Sequence, residues 1–150
     1  MTKREKAKKL FEEGYNCSQA VFGAFSEDLG IDFETAVKIS STFGGGMGRL
    51  REVCGTVTGM FMVLGMKYGY TDPKANEEKK QLYKDVQSLA DEFSQENGSI
   101  ICRELLNLNI KGKDYPTPEN RTQQYYQKRP CSQLCEYAAD LVDNFIKEHK

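Results

Sequence analysis

The chain has 150 residues, enough for one domain that buries about 70% of its unfolded surface and folds without a disulfide or metal to staple it. Its 21 Lys and Arg against 22 Asp and Glu leave a net charge of −1 with the two signs interleaved, so no nucleic-acid partner is expected. The charged opening from Met1 to Leu10 lacks the apolar stretch of a signal peptide, and the longest apolar run, Val53 to Met66, is shorter than the ~20 residues that span a bilayer, which predicts a cytoplasmic protein without membrane insertion.

The elements read as helices in chain order. Residues 2–13 carry Ala7, Leu10 and Phe11 on one stripe and stop at Gly14, a residue that favours helix ends. Asn16 is placed to cap a second helix, in which Ala20, Val21, Ala24, Phe25 and Leu29 follow a helical period as far as Gly30. Asp32 starts a third, with Phe33, Ala36, Val37 and Ile39 apolar. It runs into Gly44-Gly45-Gly46-Met47-Gly48, which cannot continue a helix cheaply.

The fourth helix, about 52–68, is apolar nearly all round and so predicts a buried central element. Gly55 and Gly59 share one face of it, which suggests another backbone crossing closely there. The same face could serve a homodimer as readily as a monomer core. Asp72-Pro73 opens a long helix to about Asn97, with Glu77, Glu78, Lys79, Lys80 and Lys84 on a solvated side. Gly98-Ser99 restarts a short helix carrying Cys102, Leu105 and Leu106. A loop over 109–129, with Pro116, Pro118, Tyr115, Tyr125 and Tyr126, is long enough to suggest function. Pro130 begins a last helix with Leu134, Ala138, Leu141, Val142, Phe145 and Ile146 apolar. No alternating strand pattern appears. The expectation is a single all-α domain over 1–150, a compact bundle of about six helices around a buried central one.

Chemistry is carried by five cysteines. Cys17, Cys54, Cys102 and Cys131 fall at helix starts, and Cys135 comes one turn after Cys131. A helix N-terminus offers unpaired N–H groups and about half a positive charge, which favours the thiolate that attacks, oxidises or binds metal. In a reducing compartment such a set is more readily catalytic or metal-binding than a disulfide framework. The spacings match no zinc ribbon or ferredoxin run. At i and i+4 the Cβ atoms of Cys131 and Cys135 should lie about 5–6 Å apart, too far for a bridge but suited to sharing a metal or facing a common partner thiol.

Cys54 stands out because Arg49 and Arg51 precede it and are expected to lower its pKa, while Gly55 and Gly59 leave space beside it. Gly44, Gly45 and Gly46 with Arg49 could hold a phosphate or carboxylate, or offer N–H groups to a sulfur or cluster, although the Lys-Ser/Thr ending of a phosphate-binding loop is absent. The only histidine, His149, is terminal, which excludes a Cys–His hydrolase, and no Cys-x-x-Cys-His occurs for covalent haem.

Cys54-Gly55-Thr56-Val57-Thr58-Gly59 resembles the element for which the C_GCAxxG_C_C family of redox-active proteins is named, with Thr56 in place of alanine. Asn16-Cys17-Ser18-Gln19-Ala20-Val21 looks like that family's first cysteine and Cys102-Arg103-Glu104-Leu105 like its third. Cys131, ahead of Leu134 and Ala138, looks like the fourth, with Cys135 as an extra that could take that role. The resemblance spans about residues 5–148. It implies a thiol-dependent oxidoreductase working by thiol–disulfide or electron-transfer chemistry on a redox partner or small molecule. Cys54 would then attack, and Cys17, Cys102 or Cys131 would resolve it. The alternative is an iron–sulfur or zinc module with Cys17, Cys54, Cys102 and Cys131 as thiolate ligands and Cys135 as a possible substitute.

Overall fold

A computed structural model describes residues 1–149, and among them it is helical apart from one isolated antiparallel bridge. The helices are α1 (Lys3–Glu12), α2 (Cys17–Ala24), α3 (Phe33–Ser40), α4 (Gly55–Tyr68), α5 (Asn76–Asn97), α6 (Cys102–Leu105), α7 (Gln123–Lys128) and α8 (Cys131–Glu148). Six of them have eight residues or more, the number the apolar periodicity supports; α6 and α7 are single turns or little more.

Four starts are set by side chains that accept orphan N–H groups, that of α7 by Thr122, which takes the Tyr125 N–H. Thr2 takes the Glu5 N–H, Asp32 takes that of Thr35, and Asn16 takes that of Gln19. At Asn16 the Gln19 side chain also reaches back to the Asn16 N–H, which completes a capping box and holds Cys17 in the first turn of α2. α4 has no such cap: Cys54 itself occupies the position before its first residue.

The core gathers Phe11, Val21, Phe22 and Phe25 around Val57, Met60, Val63 and Leu64 of α4, with Phe93 and Val142 closing the far side. Each such side chain contributes about 1.5–3 kcal/mol on burial. α2 crosses α4 on its glycines. A Cβ at Gly59 would lie 3.0 Å from the Ser18 carbonyl oxygen and 3.0 Å from Val21 Cβ, and one at Gly55 would lie 3.0 Å from Ser18 N and 3.1 Å from Cys17 Cβ. The crossing expected at these glycines is therefore made within the chain, which occupies the face that could have served a homodimer.

Two helix starts lie later than the sequence suggests. Asp72-Pro73 does not open α5: the Asp72 carboxylate accepts the Lys74 N–H and the Asp72 carbonyl accepts that of Ala75, closing a turn that delays the helix to Asn76. α4 starts at Gly55 instead of residue 52 because 52–54 is extended and paired with 100–102. Cys54 N–H donates to Ile100 O at 2.8 Å, Cys102 N–H donates to Glu52 O at 2.6 Å, and Val53 bridges Ile101. The loop over 109–129 is partly ordered as α7, capped by Thr122. No helix among the described residues is long and apolar enough to cross a membrane.

The α2–α4 crossing gives a direct test. Gly59→Ala meets backbone and a β-branched side chain, so it should cost about 1–3 kcal/mol in urea unfolding. Gly65→Ala, on the same helix with nothing within 4 Å of the added carbon, should gain about 0.5–1 kcal/mol. Equal effects at the two positions would refute the close crossing.

Candidate functional site

Four helix beginnings meet at one cavity of about 310 Å³. Cys17 opens α2, Cys54 precedes α4, Cys102 opens α6 and Cys131 opens α8, and all four line that cavity. Cys54 and Cys102 are held side by side by the bridge between residues 53 and 101. Cys17 is brought to Cys54 by the α2–α4 crossing. Cys135 is fully buried one turn behind Cys131, with its sulfur 4.0 Å from the Cys17 carbonyl oxygen. All five cysteines are unbridged. Cys17 is half-buried, and the other four are buried.

The glycine-rich stretch forms one wall in an unusual way. Gly45, Gly46, Met47, Gly48 and Arg49 have φ of 67, 68, 72, 60 and 63°, and Gly48 N–H donates to Gly44 O at 2.9 Å. This is one turn of left-handed helix. Left-handed backbone costs an L-residue about 1–2 kcal/mol, which glycine escapes but Met47, Arg49 and Arg51 (φ 59°) do not. A carboxylate clasp opposes that strain. Asp114 Oδ2 accepts from Arg49 at 3.1 Å and from both Nε and Nη2 of Arg51 at 3.1 and 3.0 Å, while Asp114 N–H donates to Arg49 O at 2.9 Å. The Tyr115 N–H and then the two arginines hold the Asp114 carboxyl below its ordinary range. The turn also lies hard on the cysteines: a Cβ at Gly46 would fall 2.6 Å from Cys102 Cβ and 2.8 Å from Arg51 Cα. A Cβ at Gly44 would meet the Asn16 side chain at 2.4 Å.

Gly44, Gly45, Gly46, Gly55 and Arg49 therefore do line the cavity, whereas Gly59 does not; it serves the helix crossing. The arginines act elsewhere than expected. Arg51 points Nη1 at Cys102 Sγ at 3.5 Å, and no arginine contact to Cys54 is formed. Burial pushes the Cys54 thiol up to about 12, although the Thr56 hydroxyl, 3.1 Å from the sulfur, and the Thr56 N–H both favour the thiolate. The expectation of a low-pKa Cys54 is corrected on that ground: desolvation outweighs the helix end. Burial also raises Cys102, against the pull of Arg51.

Cys17, Cys131 and Cys135 form a coupled group. Interaction with Cys131 favours the Cys17 thiolate, yet Cys135, burial and the neighbouring sulfurs leave the Cys17 thiol well above its ordinary value. Interaction with Cys17, followed by burial, raises Cys131. Burial raises Cys135, with the Cys17 contact opposing. The three thiols thus influence one another's ionisation. No group of three or more His, Cys, Asp or Glu side chains among the described residues is arranged to hold a metal ion.

Sequence reasoning missed Arg121, Arg129 and Asp114. Arg129 had a legible signal, because it directly precedes Pro130 and Cys131. Arg121 had none: its guanidinium donates to the Phe11 and Tyr15 carbonyls, each at 3.0 Å, across more than 100 residues of chain. Of the loop tyrosines, Tyr125 lines the cavity and Tyr126 packs edge-on against Phe11, while Tyr115 is exposed.

A family model described as "Putative redox-active protein (C_GCAxxG_C_C)" matches residues 15–145. The chain departs from the order in that name, carrying Cys54-Gly55-Thr56 where Gly-Cys-Ala is written, with the last glycine of the element kept at Gly59. No curated protein and no solved structure matches.

Two outcomes follow from the site's geometry. An unfolded thiol ionises near pH 9, whereas folded Cys54 keeps its proton to about 12, so above pH 9 the unfolded chain sheds a proton that the folded chain retains and stability falls with pH. Urea unfolding of Cys54→Ala should therefore lose roughly 1 kcal/mol less than the parent between pH 8 and pH 10; identical slopes would mean that Cys54 is not desolvated. Gly46→Ala combines a positive φ with contacts to backbone and should cost at least about 3 kcal/mol, against about 1 kcal/mol for Gly30→Ala, whose φ is 71° but whose surroundings are open.

Proposed function

The chain belongs to the C_GCAxxG_C_C family of redox-active proteins, and on that footing we propose that its cavity performs thiol–disulfide exchange with Cys17 as the attacking thiol. Cys131 or Cys135 then resolves the mixed disulfide. The observation that carries this reading is the position of Cys17: it lines the cavity with Cys131, its carbonyl oxygen lies 4.0 Å from the Cys135 sulfur, and it is the one cysteine that is not buried. Cys54, deeper and held protonated, is a supporting thiol in this scheme and not the nucleophile.

The steps balance with a small disulfide as oxidant. The Cys17 thiol gives up its proton and its sulfur attacks one sulfur of the disulfide RSSR, so the protein is left as Cys17–S–S–R and one RSH departs. The thiol of Cys131 or Cys135 then loses its proton and attacks Cys17 Sγ, releasing a second RSH and leaving one intramolecular disulfide. Two protein thiols are oxidised and one disulfide is reduced. Run backwards, the same steps reduce the protein. The i, i+4 spacing makes a bond between Cys131 and Cys135 themselves unfavourable, which leaves Cys17 as the shared partner.

The test is to treat the reduced protein with a small disulfide, quench with an alkylating agent and map the bridged peptides. One bond joining Cys17 to Cys131 or Cys135 is expected, and Cys17→Ser should abolish it. A bond between Cys54 and Cys102, or none at all, would overturn the assignment. Because every pocket thiol sits above its ordinary pKa, exchange should accelerate about tenfold per pH unit up to at least pH 9, with no plateau near neutrality.

A further inference from the structure

The cavity holds more positive charge than its own carboxylates offset. Four guanidinium groups line it: Arg49, Arg51, Arg121 and Arg129. Arg49 and Arg51 share the single carboxylate of Asp114, and Arg129 pairs with Glu119. Arg121 forms no ion pair among the described residues. It donates to the neutral carbonyls of Phe11 and Tyr15 and stacks 4.2 Å from the Phe11 ring centre. Four positive groups therefore stand against two negative ones, in a chain whose overall charge is −1. The carbonyls at the end of α1 offset part of the excess. The N-termini of α2, α4 and α8, which carry Cys17, Cys54 and Cys131 to the cavity, add to it.

Packing does not require this arrangement. One arginine is enough to hold Asp114, and a neutral side chain could cap the α1 carbonyls. Partly buried guanidinium groups without matching carboxylates are costly unless an anion joins them.

We propose that the cavity selects small anionic thiols and disulfides, molecules that carry carboxylate groups beside the reacting sulfur. The identity of the reacting atom rests on the thiol-exchange reading; the preference for an anion does not. Arginine suits a carboxylate because its planar fork offers two parallel N–H donors. Arg121 and Arg129 line the same cavity as Cys17 and Cys131, so a carboxylate held by them stays within the cavity that carries the reacting sulfurs. A cavity of about 310 Å³ is at the small end of the range for small-molecule sites, which suits a short dicarboxylate disulfide.

Three alkyl disulfides of graded charge test the proposal on the reduced full-length protein: 3,3′-dithiodipropionate (anionic), 2-hydroxyethyl disulfide (neutral) and cystamine (cationic). Cystamine has the most acidic leaving thiol and would react fastest if chemistry alone decided. The expected result is the reverse order, with the dianion at least about tenfold faster than cystamine at low salt and the gap closing in about 1 M salt. Arg129→Gln and Arg121→Gln should each shrink that ratio, and Arg121→Lys should keep most of it. Arg129→Gln leaves the α1 carbonyl contacts intact should Arg121→Gln fail to fold. A ratio at or below one, or a ratio unmoved by Arg129→Gln, would overturn the proposal. Calorimetry with the thioether 3,3′-thiodipropionate, which cannot exchange, separates the two readings. Binding of the thioether with no reaction of any disulfide would retain the anion pocket and remove the exchange reaction. Exchange of all three disulfides at similar rates without thioether binding would do the opposite.

Discussion

Everything at this site depends on how closely α2 lies on α4. With glycine at 55 and 59 the two backbones approach until a methyl group would sit 3.0 Å from Ser18 and Val21 atoms. That approach sets the first turn of α2, and with it Cys17, beside the start of α4, where Cys54 stands. Any side chain at those positions would push the helices apart and open the cavity from its floor. The capping box at Asn16 and Gln19 works on the same joint, because it fixes where α2 begins. Helix packing and helix capping thus act together on the position of one sulfur.

The opposite wall is built from strained backbone. A left-handed turn from Gly45 to Arg49 is tolerable at its glycines and unfavourable at Met47, Arg49 and Arg51, and it persists because Asp114 clasps both arginines from a distant loop. Strain of this kind gathers where a structure needs a side chain in an otherwise inaccessible direction. Here the result is that Arg51 is aimed at Cys102 and that a backbone without Cβ atoms is pressed against it. The clasp also ties the loop after α6 to the glycine turn, so the arginine wall and the cysteine floor are one mechanical unit.

Electrostatically the cavity is a contest between two effects. Helix ends and guanidinium groups favour anions, while burial and the crowding of sulfurs disfavour the thiolate. For Cys54 burial wins by a wide margin; the neighbouring sulfurs raise Cys17 and Cys131 first, with burial behind them, while burial leads for Cys135. The site therefore keeps its thiols protonated beside guanidinium groups that outnumber its carboxylates.

Much of this was legible in the residues themselves. The 3.6-residue apolar period marked the long helices, because one-sided burial leaves that trace whatever the partner is. Asn16 and Asp32 announced their helix starts through local hydrogen bonding, and Gly55 with Gly59 announced a close crossing through the absence of side chains. The sequence also placed cysteines at four helix starts, since that depends only on local order. Which thiols meet was decided by the tertiary structure alone. The pairing of 52–54 with 100–102, the reach of Arg121 to the end of α1 and the sharing of Asp114 by two arginines join residues far apart in the chain. No local pattern encodes such contacts. The shift of emphasis from Cys54 to Cys17 has the same origin: a helix N-terminus is a local feature that favours the thiolate, but burial is a property of the assembled core, and for a thiol it is the larger effect.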